Sequence, residues 1–459
     1  MADKLLIRAY NVGCGDCIYV RIPGPRGGFN MLIDCGKKGD DKLLKQAIDH
    51  LAGELPRGSK ANTSRLDLLV ATHRHEDHIK GFDPDWFKQI EVKNIWLSVS
   101  MDPKHPQAEG VNQLHEFATE AMRALTNGGH PLSPEIELLA SMYGVSNDVA
   151  DRLLRETLPK ANGIKPQYVY SGMKHRLALP ADTEIHILAP EKDIDHFYLG
   201  EGLDRTLKGF QGISNALTVA RRATAGAQRE PTNISSTDFR VLQSRMLSNG
   251  LAFAARESSI QNNLSVVLLI EWRKRRLLFV GDAEWEGEFK DGKHNGSWNV
   301  MWEKHRDGHL SQPVDFLKIG HHGSINATPP PPSERPKSKK AQPNDVYTIL
   351  DTILPAPKPG RKSTAQAVVS TEREFYNPIP ECKLLVDLAG RVSNTRSYGR
   401  RLEKKGIDPR SIWATSKGKR NKFFERYEKE FLSQPQPLRT DLEFVTEGQD
   451  FVDVEIQPG

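Results

Sequence analysis

Six consecutive residues, His73-Arg74-His75-Glu76-Asp77-His78, hold four side chains of metal-ligand type. His73 and His75 lie two apart, so an extended loop points both the same way. Asp77 and His78 follow directly and can reach a second point about 3.5–4 Å away, the metal–metal separation of two-metal hydrolases. Imidazole mixed with carboxylate suits zinc, manganese or iron rather than calcium or magnesium alone. The competing reading is a polar surface loop that happens to carry three histidines. The spacing, directly after a strand-like segment, favours the metal, and with it hydrolysis by a metal-activated water.

The elements that must position these residues are readable around them. Leu66 to Thr72 is an apolar segment of strand length and β-branched content that ends at the motif. Two further apolar segments also stop at ligand-type residues: Arg276 to Val280 ends at Gly281-Asp282, and Val314 to Ile319 ends at Gly320-His321-His322-Gly323-Ser324. Other strands are expected at 5–10, 17–22, 30–34, 90–98, 183–190, 264–272 and 451–456. Helices are expected at 42–55, 113–128, 134–160, 285–290 and near 383–392, with 203–257 largely helical. This divides the chain into 1–104, a mostly helical insertion at 105–260 with one returning strand near 183–190, a second half at 261–400, and a basic C-terminal extension at 401–459. The run 327–343, rich in proline and lysine, reads as a mobile loop. No internal repeat is visible.

The chain has 459 residues, 37% hydrophobic and 27% charged, which describes a soluble protein on the polar side of average. No apolar run approaches the eighteen or so residues needed to span a bilayer, and no signal-peptide core follows Met1. Four cysteines do not make a disulfide framework, so a reducing cytoplasm is expected, and Cys14-x-x-Cys17 lacks the second pair of a zinc ribbon. The net charge is +5, with basic clusters at 273–276, 335–340, 400–405 and 417–422. Each alone reads as a solvated turn; together they lean toward a polyanionic substrate.

Through His73-x-His75-x-Asp77-His78 and Phe279-Val280-Gly281-Asp282 the chain resembles the metallo-β-lactamase superfamily. Within it, the sequence is most similar to the hydrolase domain of ComEC-type DNA-uptake proteins, through Asn11 to Asp16, Leu32 to Gly36, Asn262 to Leu268, Leu278 to Glu284 and Leu317 to Ser324. The match covers 5–100 and 262–325. It implies an α/β protein, an αββα sandwich, with two divalent ions, zinc or manganese. His73 and His75 would bind one ion and Asp77 and His78 the other, Asp282 would bridge them, and His322 (or His321) would complete a site. Asp16 and Asp34 would stand behind the ligands and fix histidine tautomers. The histidine that many members carry before the bridging aspartate is missing, and Asn263 or Ser265 is expected in its place. The late segment 370–380 likewise has no histidine, and the membrane channel of the uptake proteins is absent.

The resemblance implies a metal-dependent phosphodiester hydrolase, a nuclease acting on DNA or a nucleotide. Asp77 is the expected general base, and Lys318 or Ser324 the expected contact to the phosphate. A lactone, ester or thioester hydrolase on the same centre is the alternative. A partner-binding subunit whose insertion engages another protein around a structural metal is a third.

Overall fold

The computed structural model describes residues 4–126 apart from 39 and 40, isolated positions between 136 and 143, residues 146–200 and 254–338, most of 340–371, a few positions from 384 to 393, and 450–459. The protein is mixed α/β. Strands β1 (Leu5–Tyr10), β2 (Cys17–Ile22), β3 (Phe29–Cys35), β5 (Leu68–Ala71), β7 (Ile95–Ser98), β8 (Gln167–Val169) and β14 (Phe451–Ile456) form one sheet in the order β14-β1-β2-β3-β5-β7-β8. Strands β9 (Thr183–Ala189), β10 (Val267–Trp272), β11 (Arg275–Phe279), β12 (Phe316–Ile319) and β13 (Gln366–Val369) form a second, in the order β13-β12-β11-β10-β9.

Both sheets begin antiparallel and end parallel. β3, β5, β7 and β8 pair in parallel, as do β11, β12 and β13. Parallel strands are covered on both faces and therefore read as largely apolar runs, as Leu68–Ala71 does and as Phe316–Ile319 does apart from the ion-paired Lys318, every residue buried. Their C-terminal ends collect polar loops at one edge, the usual place for ligands in parallel sheets.

Alternation along β1 shows how the layers separate. Leu5, Ile7 and Ala9 join a core that also takes Ile18 and Val70 from the first sheet and Leu268, Ile270, Leu277 and Phe316 from the second. Leu6 and Tyr10 point the other way, into a core with Leu44, Ile48 and Leu51 of helix α1 (Lys42–Glu54). On the far side of the second sheet, Leu269, Leu278 and Leu317 pack against Trp298, Met301 and Trp302 of the helix Ser297–His305 and Leu350 and Ile353 of the helix Ile349–Ile353. Each fully buried side chain of this kind is worth about 1.5–3 kcal/mol of transfer from water.

Several expectations need correction. The strand expected over 90–98 is two: β6 (Ile90–Val92) pairs with β4 (Ser64–Leu66) in a small separate sheet, and β7 joins the main one. Lys93 and Asn94 make the break, because their backbone groups bond to Leu66 and Leu69. Residues 285–290 are not helical. The backbone amides of Glu286 and Lys290 donate to the side chains of Asn299 and Asn295 instead of to preceding carbonyls, and the helix starts only at Ser297.

Segment 105–260 is not an insertion throughout, since β8 extends the first sheet and β9 the second. The helix Ala108–Thr126 and the helical run 146–162 match expected helices, while 203–253 lie outside the described residues. The terminal residues are not a simple extension, because β14 pairs with β1 along its full length. Residues 327–329 and 331 of the proline-rich run are buried, with Trp298 donating to the Ala327 carbonyl. Among the described residues, no helix is long and apolar enough to cross a membrane.

Candidate metal centre

The centre grows from four strand ends. After β5 the chain bends at His73 and Arg74, His75 is extended (φ −65°, ψ 149°), and Glu76–Ile79 makes one helical turn, α2. This bent link brings His73 and His75 together, with His73 Nε2 2.9 Å from His75 Nδ1. The turn carries Asp77 and His78. The end of β3 is threaded against it: a Cβ on Gly36 would lie 2.3 Å from the Asp77 carbonyl carbon and the His78 nitrogen. Only glycine permits that approach.

After β11, Gly281 takes a left-handed conformation (φ 52°), with Ser265 and Thr72 too close for any side chain there. It delivers Asp282, whose backbone amide donates to Ser265 Oγ at 3.1 Å and whose Oδ1 accepts from the His321 amide at 2.9 Å. After β12, His321, His322 and Gly323 all have positive φ, at 43°, 53° and 80°. For two histidines this costs on the order of 1–3 kcal/mol each and persists only where the surroundings over-determine it. The His321 amide bond to Asp282 is one such constraint, and a bond from His322 to the Ser370 carbonyl at 2.9 Å is another.

These loops bring the ligand atoms of Asp77, His78, Asp282 and His322 within 4.8 Å of one another, and likewise those of His73, His75 and Asp282. Asp282 belongs to both groups. Its Oδ2 lies 3.1 Å from His78 Nε2 and 3.8 Å from His73 Nε2, and Asp77 Oδ2 lies 2.9 Å from His322 Nε2. All these side chains are buried.

The surroundings fix the tautomers. His78 Nδ1 donates to Asp34 Oδ2 at 2.7 Å, and Asp34 also accepts from the amide and hydroxyl of Thr72, both at 2.7 Å. A carbonyl can only accept, so His322 Nδ1 carries the proton toward Ser370. Once such a ring is neutral, its Nε2 lone pair faces the cluster, the arrangement a metal-bound imidazole needs.

The electrostatics are those of a cation site. Burial by itself would raise Asp77, but Lys38, His322 and His78 outweigh it and hold the carboxyl well below its usual range. Burial is overruled in the same way at Asp282, chiefly by His78 and His321. At His78 burial opposes the charge, yet Asp282 and Asp34 push its pKa well above that of an ordinary histidine. Burial, then His78 and His75, press His73 well below. Asp77 Oδ1, His78 Nε2 and His75 Nε2 are buried and make no hydrogen bond. Converging buried imidazole and carboxylate atoms, three of them without a hydrogen-bond partner, fit a divalent transition-metal ion.

Not every expected residue stands where it was placed. Lys318 is buried, and its ammonium donates to Asp16 Oδ2 and the Ile319 carbonyl, both at 2.8 Å, so it does not reach toward a substrate. Asp16 is therefore tied to Lys318 rather than to a histidine, and supports the motif through its amide bond to the Asp77 carbonyl. Asn263 is no ligand: Oδ1 accepts from the amides of Glu284 and Ser297, and Nδ2 donates to the Ser259 carbonyl. Ser265 Oγ instead lies 3.3 Å from His73 Nδ1. The His321 ring turns to Glu284 at 3.4 Å, and Ser324 donates to Asn326.

Two features were not anticipated. Lys38 is buried with Nζ 3.0 Å from Asp77 Oδ2. Burial favours its neutral form, but Asp77 prevails and raises its pKa. A lysine three residues beyond a strand-end Cys35 looks like an ordinary surface charge in sequence. The second feature is Glu257, fully buried, which accepts from Tyr143 Oη at 2.5 Å and pairs with His115 Nδ1 at 2.9 Å; its charge is felt at His75. Residues from within 105–260 thus stand behind one side of the centre. The sequence matches no protein-family model and no curated protein, so the chemistry of the centre rests on its own residues.

Proposed function

We propose that this protein is a metal-dependent hydrolase of the metallo-β-lactamase type, its two sheets and flanking helices forming an αββα sandwich, that holds two zinc or manganese ions and cleaves phosphodiesters, DNA foremost. The observation that carries this reading is Asp282, one buried carboxylate belonging to two ligand groups. A single structural ion would need neither the second group nor a shared carboxylate.

Divalent ions held there would acidify a water and neutralise charge on a phosphoryl oxygen. The protein's own part is positional. Asp34 and Ser370 keep the protons of His78 and His322 on the outward nitrogens. Asp77 Oδ1, free of any hydrogen bond, is the proton acceptor for the attacking water. Lys38, buried and paired with Asp77, keeps that carboxylate ionised. The basic cluster 273–276 gives little support, because Arg275 is paired with Asp315 and Arg276 is buried against Glu271 and the His309 carbonyl.

The test is cleavage of labelled linear single- and double-stranded DNA with manganese, zinc, magnesium or chelator, beside Asp77→Asn and Asp282→Asn. Metal-dependent cutting lost in both variants is the expected result. Bound metal by elemental analysis without cutting under any condition would replace the phosphodiester with an ester or lactone substrate.

A further inference from the structure

On the outer face of the second sheet, far in sequence from the histidine motif, a separate group of ligand-type residues converges. Along β9, Ile185 and Ile187 enter the core shared by the two sheets. Alternation therefore turns Glu184 and His186 to the opposite face. In the register of β9 with β10, Glu184 stands directly across from Glu271, and His186 across from Leu269. Two glutamates face to face on neighbouring strands repel, an arrangement that costs stability unless a cation lies between them.

We propose that Glu184, His186 and Glu271 form a second cation site, for one transition-metal ion of the zinc class, distinct from the buried centre and independent of the reading of that centre.

The geometry points there. His186 Nε2 lies 3.4 Å from Glu184 Oε2 and 3.5 Å from Glu271 Oε2. These distances equal the ligand–ligand edge of a tetrahedron, about 3.3–3.5 Å for zinc bonds of about 2.0–2.1 Å. If the imidazole merely neutralised the glutamates, it would bond to one of them. Instead Nε2 is shielded from water and makes no hydrogen bond. Arg276 Nε lies 3.4 Å from the other oxygen of Glu271, Oε1, and so leaves Oε2 directed at the site.

The His309 ring lies over His186 at 4.2 Å between centroids and holds it in place. Side-chain exposure grades outward from 23% at His186 to 37% at Glu271 and 72% at Glu184, which opens the site to solvent on one side for ion entry. Mixed imidazole and carboxylate ligands favour zinc, manganese or nickel over calcium.

The experiment is zinc binding to the full chain by equilibrium dialysis and elemental analysis. It compares wild type with His186→Asn and Glu184→Gln, and repeats the comparison in an Asp282→Asn background. Thermal melts of the dialysed proteins control for folding. We expect His186→Asn to lose one zinc per chain, and Glu184→Gln, a change at a mostly exposed side chain, to bind that ion at least tenfold more weakly. The same loss is expected in the Asp282→Asn background. Equal zinc content and affinity in wild type and both variants would overturn the proposal, whatever the central cluster binds. If the central cluster binds nothing, wild type would still hold one zinc and His186→Asn none, so the two readings fail separately.

Discussion

Asp34→Asn isolates the contribution of a residue that touches no metal. Asp34 accepts three hydrogen bonds, from the Thr72 amide, the Thr72 hydroxyl and His78 Nδ1, each at 2.7 Å. Asparagine keeps the shape, and it tolerates the left-handed backbone at this position (φ 57°) at least as well as aspartate. Its carbonyl can still serve the Thr72 amide, and the Thr72 hydroxyl can rotate to accept from the new amide. His78 has no such escape. Either Nδ1–H faces an NH2 group and loses its acceptor, or the neutral ring keeps its proton on Nε2 and has no lone pair there for a metal.

Leaving a buried donor unpaired costs about 1–3 kcal/mol. Loss of an outer partner of a metal-bound histidine typically weakens metal binding about 10–100-fold, which is about 1.4–2.7 kcal/mol. The two figures agree, so Asp34→Asn should bind zinc or manganese about 10–100-fold more weakly while remaining folded. Competition titration against a chelator measures the first quantity and a thermal melt the second. A folded variant with wild-type metal affinity would refute the role assigned to Asp34.

Further outcomes follow from other contacts. Lys38→Met removes an ammonium 3.0 Å from Asp77, so metal-free protein should lose stability while its affinity for added metal rises, read by melting and calorimetry in parallel; lower affinity would contradict the competition between ammonium and metal. Gly36→Ala drives a Cβ to 2.3 Å from the backbone of Asp77 and His78 and should cost about 1–3 kcal/mol or more in urea unfolding, together with bound metal. Glu91 is held down to about 2, chiefly by Lys93 and the Ser59 hydroxyl. A depressed carboxylate stabilises fully above its unfolded pKa near 4.5, and that contribution is lost as pH falls from there toward 2. Glu91→Gln should flatten stability across that interval; an unchanged profile would assign acid unfolding to other groups.

What could be read in the sequence was local, and what could not was long-range. His73, His75, Asp77 and His78 share one loop, and Asp282 and His322 each follow a strand of recognisable composition, so residue type and position sufficed. Asp34, expected to hold a histidine tautomer, bonds His78 Nδ1 because it too ends a buried strand. Lys318 was expected at the substrate and Lys38 was not singled out at all, since a lysine's destination depends on which carboxylate the fold brings within reach: Asp16 for the first and Asp77 for the second. Asn263 was misread because its amide is spent on the turn that starts the helix at Ser297, a partner far ahead in sequence. The split between β6 and β7 falls at Lys93-Asn94, polar residues that one half-buried strand could also carry, and β8 is too short and too exposed to announce itself.

The pairing of β14 with β1 also changes how the chain can be cut. Every residue from Leu5 to Tyr10 has a partner in 451–456, and Arg8 clamps the strand with bonds to Asp453 and a guanidinium 3.8 Å over the Phe451 ring. The strand is therefore a piece of the first sheet supplied from far along the chain, the residues 394–449 that precede it lying outside the described residues. A cut within those residues would give two fragments held by a ladder of backbone hydrogen bonds. A short peptide spanning 450–459 would then compete for the β1 edge, which makes this seam a natural place to divide the protein into complementing halves.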